Sequence, residues 1–146
     1  MKVKEIMTKD ITSISPETNA KEALELLQKM QISGLPVIDG KNKLIGMFTE
    51  KEVLSAILPS YVEKVGRFIY QENPKAVKQK VSALKTLRVA DVMRRDVVTV
   101  DEDTTLCEVA RIMLTQKARR LPVLNKAKTV VGIIARGDLV RALVAE

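Results

Sequence analysis

Two carboxylates sit at matching places in this chain, each six residues past a glycine. The stretches are Gly46-Met47-Phe48-Thr49-Glu50-Lys51-Glu52 and Gly132-Ile133-Ile134-Ala135-Arg136-Gly137-Asp138. In each, a strand-like apolar run gives way to a helical pattern, so Glu52 and Asp138 fall in the first turn of a helix. Such an N-terminus presents unpaired N–H groups and a positive dipole end, which attract phosphate. A carboxylate beside it can accept both hydroxyls of a ribose. Together these are nucleotide-binding parts. Thr49-Glu50-Lys51-Glu52 also spells a capping box, which gives Glu52 an alternative role as a helix cap. Asp138 has no Thr or Ser partner, so capping explains it less well, and a dipole-favoured aspartate is its alternative.

Composition comes close to excluding metal-hydrolase and Cys/His-nucleophile chemistry. The 146 residues contain no histidine, which removes the usual general base and the commonest metal ligand. The single cysteine, Cys107, aligns with Lys21 in the other stretch and is expected on a solvated helix face. Apolar residues make up 46% of the chain and aromatics 3%, so the core is expected to be aliphatic. A net charge of +7 suits an anionic partner, or simple solubility. No apolar run reaches the roughly 20 residues of a membrane span. The N-terminus does not read as a signal peptide, so a soluble cytoplasmic protein is expected.

The elements that position the carboxylates are duplicated. Shifted by 86 positions, residues 3–58 overlie 89–144 without a gap, matching Val3 with Val89, Met7 with Met93, Leu35-Pro36-Val37 with Leu121-Pro122-Val123, and Gly46 with Gly132. A unit this small cannot bury its apolar face alone, so the copies should pack about a pseudo-two-fold axis, leaving two related clefts. Each copy reads strand, helix, strand, strand, helix. Ile11-Thr12-Ser13-Ile14 is the first strand, closed by Ser15-Pro16. Ala20, Ala23, Leu24, Leu27 and Met30 form the apolar stripe of a helix that Asn19 and Glu22 start and Gly34 ends. Thr105 and Glu108 repeat the capping pattern. Leu35–Ile38 and Leu44–Phe48 are strands joined by the turn Asp39-Gly40-Lys41-Asn42. The last helix carries Val53, Leu54, Ile57 and Leu58, and in the second copy Leu139, Val140, Leu143 and Val144.

The domain division is therefore 1–58, a connector over 59–88, and 89–146. The connector places Tyr61, Val65 and Phe68 on one face, then Asn73-Pro74 as a cap, then Val77, Val81 and Leu84 at helical spacing. Lys75, Lys78, Lys80 and Lys85 point elsewhere. This reads as a helical strap, with a basic partner surface as the alternative.

These motifs, in register in both copies, resemble the cystathionine-β-synthase (CBS) domain family. Leu-Pro-Val follows the first helix, and Gly-h-h-Thr-x-x-Asp (h, hydrophobic; x, any residue) closes the unit. The resemblance covers all but the connector, as the tandem pair called a Bateman module. It implies an α/β (α+β) fold of two β-α-β-β-α repeats. It also implies a regulatory adenosyl ligand (AMP, ADP, ATP or S-adenosylmethionine), homodimerisation and no catalysis. Carried over, one cleft would use Asp138 for the ribose with Lys9, Ile11, Ile32 and Ser33. The other would use Thr49 and Glu52 with Arg95, Val97, Ala118, Arg119 and Arg120. Arg119-Arg120 sit where the family often places phosphate ligands, a task that suits the guanidinium fork; a solvated helix end is their alternative role. Two departures stand out: Ala135 replaces the hydroxyl residue in copy two, and Glu52 replaces the aspartate in copy one. The Asp138 cleft would thus have the better ribose acceptor and little positive charge beyond Lys9.

The expected function is an adenosyl-sensing regulatory module acting on an effector protein or on oligomer state. Its rivals are a nucleic-acid-binding protein using the basic surface and a ligand-free scaffold with degenerate sites. Few aromatics and no recognition motif oppose the first rival. An enzyme comes last, for want of a nucleophile–base pair.

Overall fold

A computed structural model describes residues 1–57, 78 and 82–145. The chain is mixed α+β and divides into two compact units that do not follow the sequence copies. One comprises Met1–Thr12, Asp39–Leu44 and Asp96–Glu146; the other comprises Ser13–Ile38 and Ile45–Arg95.

In the first unit a 3-10 turn at Val3–Glu5 precedes β3 (Val100–Asp101), α4 (Leu106–Thr115), β4 (Arg120–Leu124), β5 (Val130–Ala135) and α5 (Arg136–Ala145). β3 runs parallel to β4, and β4 antiparallel to β5, with Val123 opposite Gly132 and Arg120 opposite Ala135. Leu106, Val109 and Met113 recur at helical spacing on α4 and are buried, packing with Leu121, Val123 and Ile134. Thr105 Oγ1 caps α4 by accepting from Glu108 N at 3.3 Å. The reciprocal half of the expected box is not made: the Glu108 carboxylate pairs with Arg111 instead.

The opening residues complete this unit. Val3 is fully buried and its N–H donates to Thr104 O at 2.8 Å. Thr8 and Ile133 exchange both backbone hydrogen bonds, at 2.9 and 3.0 Å, so the chain start lines the outer edge of β5. Gly132 is required there, because a Cβ would strike the Met7 side chain, with Cγ at 2.8 Å.

The second unit holds α1 (Ala20–Met30), β1 (Gly34–Ile38), β2 (Leu44–Thr49, all but its first residue), α2 (Glu50–Ile57), a 3-10 turn at Leu84–Thr86 and α3 (Val89–Val92). Ala20, Ala23, Leu27, Leu35, Val37, Phe48, Leu84 and Val89 form its core. Asn19 Oδ1 caps α1 by accepting from Lys21 N and Glu22 N, while its amide donates to Lys85 O at 2.7 Å. Residues of the second copy's opening strap this unit as the first copy's do the other. Met47 and Arg94 exchange backbone hydrogen bonds at 2.9 Å, and a Cβ at Gly46 would lie 2.8 Å from both Met93 Sδ and Arg94 O.

Three expectations change. The strand over Ile11–Ile14 shrinks to one parallel bridge, Ile14 to Val37, because the next bond of that ladder, to Thr12 O, would need an N–H from Pro36, which has none. α1 is ended by Gln31 in the left-handed region (φ 55°), not by Gly34, which opens β1. The same backbone recurs at Lys117 (φ 54°), and Asn42 and Lys128 form a second such pair (φ 62° and 67°), so the duplication extends to strained positions. The expected helices over 59–88 lie mostly outside the described residues, apart from exposed Lys78 and the Leu84–Thr86 turn, whose Leu84 is buried.

Candidate functional site

β5 passes into α5 without a loop, so the free N–H groups of the helix open at the end of the sheet. Asp138 is the third helical residue. Its Oδ2 accepts from Ala135 N at 3.1 Å and its Oδ1 from Arg141 Nη2 at 2.5 Å. This corrects the expectation that capping explains Asp138 poorly: it makes the reach-back half of a capping box with no hydroxyl partner. The carboxylate remains 23% exposed.

Arg119 and Arg120 belong to this junction. Arg136 N donates to Arg119 O at 2.9 Å, and Arg120 stands directly opposite Ala135, so those two side chains share a face of the sheet. The cation bonded to Asp138 is Arg141, a charge beyond the expected Lys9, which follows the Thr8–Ile133 pair and is exposed. Ile11, Val97 and Ala118 are half-buried in the same unit, and Ala118 N donates to Met113 O at 3.0 Å.

The corresponding junction in the other unit is β2 into α2. Glu50 N donates to Ser33 O at 2.9 Å, the counterpart of the Arg136–Arg119 bond. Thr49 Oγ1 accepts from Glu52 N at 3.3 Å, and its hydroxyl donates to Glu52 Oε1 at 3.2 Å. The Glu52 carboxylate is 14% exposed and lies 3.9 Å from Arg94 Nε. Gly34 fits under Thr49, for a Cβ there would approach Thr49 Cγ2 to 2.9 Å. In the second copy Arg120 takes the place of Gly34 and Ala135 that of Thr49: the bulk has crossed from one strand to the other. Ile32 is half-buried and donates from N to Leu27 O, Ser33 is exposed, and Arg95 donates to Ala90 O at 3.4 Å.

The residues expected to act therefore divide by unit. Lys9, Ile11, Val97, Ala118, Arg119, Arg120 and Asp138 fall in one; Ile32, Ser33, Thr49, Glu52 and Arg95 fall in the other. Sequence reasoning missed Arg94, Arg136 and Arg141. Comparing the copies position by position would have exposed the last two, which stand where Glu50 and Ser55 stand in copy one.

Among the described residues no His, Cys, Asp or Glu cluster could hold a metal, and no helix is long and apolar enough to cross a membrane. Cys107 is exposed on α4, as its alignment with Lys21 implied. Shifted carboxyl groups belong to other surface pairs. The Lys4 ammonium holds Asp103 below the usual range, and the Lys43 and Lys41 amides do the same for Asp39.

Comparison with known proteins fits this duplicated geometry. The chain is 36% identical to the chloroplastic CBS domain-containing protein CBSX1 of Arabidopsis thaliana, over 96% of its own length and 63% of that protein's. It is 32% identical to the Methanocaldococcus jannaschii protein MJ1426, over 99% and 92% of the two lengths. Among solved structures, CBSX2 in complex with AMP matches at a TM-score of 0.75 and 29% identity, covering 99% of this chain and 96% of that one. The CBS domain model matches twice, at residues 3–59 and 89–145. The chain belongs to the CBS-domain family, as a tandem pair.

Proposed function

We propose that the chain is a non-catalytic regulatory module that binds an adenosyl compound and signals occupancy to an effector protein or through its oligomeric state. The observation that carries this is the strand-to-helix junction, built twice, with a partly exposed carboxylate at the third helical residue. Such a carboxylate accepts a ribose diol, and the helix N-terminus favours phosphate. The AMP complex of CBSX2 supports the choice of ligand class. Ligand occupancy shifts conformation only by its difference in affinity for the two states.

Assembly as a homodimer is part of this reading. Leu54 on α2 and its counterpart Val140 on α5 are each 52% exposed, and Leu143 and Val144 add to the α5 face. Light scattering of the purified chain tests it, a monomer at working concentration counting against it.

The scaffold reading has its own support, since Asp138 and Glu52 already have intramolecular partners. Thermal unfolding against AMP, ADP, ATP and S-adenosylmethionine separates the two readings, because a ligand of the native state raises the midpoint. A rise with one of these, lost in Asp138→Asn, supports the sensor. No rise with any of them supports the scaffold. A rise only with a short DNA duplex, declining steeply with salt, turns to the nucleic-acid reading.

A further inference from the structure

The two first-turn carboxylates take their cations from different places. Asp138 Oδ1 accepts from Arg141 Nη2 at 2.5 Å, one turn further along its own helix. Glu52 has Ser55 at that position of its helix. The cation near it is Arg94, 3.9 Å away on a segment whose backbone is bonded to Met47. The residue before the carboxylate changes in step: Gly137 precedes Asp138, and Lys51 precedes Glu52. A Cβ at residue 137 would lie 3.3 Å from Arg141 Nη1, so the guanidinium reaches back over the first turn, the direction in which helical side chains lean. Glycine is a poor helix former, and here it leaves the arginine its place. The Asp138 side chain is 23% exposed and that of Arg141 74%. The carboxylate thus shares what open surface it has with a guanidinium that neutralises its charge, and that charge is what makes it a strong acceptor. An ion pair so exposed contributes little and is screened by salt, so it yields to a competitor.

We propose that Arg141 is an internal competitor for the ribose at Asp138. It holds Oδ1, must yield that oxygen before the carboxylate accepts a diol, and so sets a lower affinity at this junction than the carboxylate alone would give. The Glu52 junction has no competitor of this kind on its own helix. This rests on the adenosyl-binding reading and adds to it what regulates one of its two carboxylates. Arg141 is a positioning residue in this account: it acts on the ligand only through Asp138.

The test is calorimetric titration of the full chain with adenosine at low and physiological salt, repeated on Arg141→Gln, Asp138→Asn and the double variant. Adenosine offers the base and the ribose without a charge of its own, so salt acts on its affinity through the protein. Arg141→Gln keeps the side chain's length without its charge, and should bind adenosine about threefold more tightly at low salt, the scale of an exposed ion pair. The unaltered chain should gain affinity as salt rises, and Arg141→Gln should not. In the Asp138→Asn background Arg141→Gln should change nothing, because the pair it breaks is already gone. A merely structural role for Arg141 would move the unfolding midpoint without this salt dependence or this coupling. Equal affinities of Arg141→Gln and the unaltered chain at both salts, or a gain that persists beside Asp138→Asn, overturn the competition and leave adenosyl binding standing. Adenosine affinity unchanged in Asp138→Asn removes the ribose role of that carboxylate, and the competition with it. If only AMP binds, it replaces adenosine: tighter binding to Arg141→Gln, against the loss of a nearby cation, supports the competition, and weaker or equal binding overturns it. Failure of both compounds to bind either chain overturns the adenosyl reading itself. If Arg141→Gln does not fold, the salt dependence of the unaltered chain decides.

Discussion

The amide of Arg136 donates to the carbonyl of Arg119 across 2.9 Å, and Glu50 repeats the bond to Ser33 at the same length. Backbone, not side chain, thus ties the first helical residue to the neighbouring strand. Proline is normally welcome at this position, where the N–H has no helical partner. Here the N–H is used, so Arg136→Pro should cost about 1 kcal/mol by urea denaturation. Arg136→Ala should stay within about 0.5 kcal/mol. Equal stability of the two variants would show that the bond contributes nothing.

Asp138 has two separable duties. Asp138→Ala loses the oxygen that accepts from Ala135 N and should destabilise by about 1 kcal/mol, in the range of a lost cap. Asp138→Asn keeps an acceptor there and should hold most of that stability while losing the charge that pairs with Arg141 and receives a ribose. A ligand-induced rise in midpoint that survives in Asp138→Asn would remove the carboxylate's charge from the binding account.

The fit of Gly34 under Thr49 makes a sharp pair. Gly34→Ala should destabilise by about 1–3 kcal/mol, because its Cβ meets Thr49 Cγ2. Thr49→Ser removes that methyl and keeps the capping oxygen, so the double variant should recover much of the loss. A double-mutant cycle with no coupling between the sites would refute the contact.

Acid should act through the surface carboxylates. Asp39 is held below its ordinary value of 3.8 chiefly by the amides of Lys43 and Lys41. Its contribution is therefore present above the unfolded value and lost as pH falls through the folded one. Asp39→Ala should have a lower midpoint than the unaltered chain at neutral pH, the two converging as pH drops well below 3.8. Lys4, raised by its hydrogen bond to Asp103, has the opposite sign: its contribution is present below 10.5 and lost as pH rises through the folded value. With no histidine in the chain, the midpoint should change little between about pH 6 and 8. A gap between Asp39→Ala and the unaltered chain that stays constant down to pH 2 would exclude the Asp39 account.

Local periodicity made most of the elements legible. α1 and α4 follow from apolar residues at helical spacing and the Asn19 and Thr105 caps, and the turn at Asp39 from its Asx chemistry. Legibility failed where distant segments decide. Gln31 is a separate case: nothing in its type calls for a left-handed residue, and the helix end is closed by backbone bonds, Gln31 N to Gln28 O and Ile32 N to Leu27 O, that leave no mark on side-chain type. The identity of Gly46 with Gly132 was visible, but its cause was not: each lies under a methionine from the opening of the other copy. At the site, the carboxylates were found from spacing alone. The neighbours of that junction were less legible, because Arg119 O meets Arg136 N and Arg120 meets Ala135 through strand pairing and not through nearness in sequence.

The exchange of opening segments sets an order of events during synthesis. The unit holding residues 13–38 and 45–95 has all its parts once residue 95 has left the ribosome. Residues 1–12, though made before the rest of their unit, pair with residues 102–106 and, at Thr8, with β5, and must wait until Val130–Ala135 emerges to complete those contacts. Val3 and Met7 are thus apolar side chains without their native partners for most of the time the chain is being made.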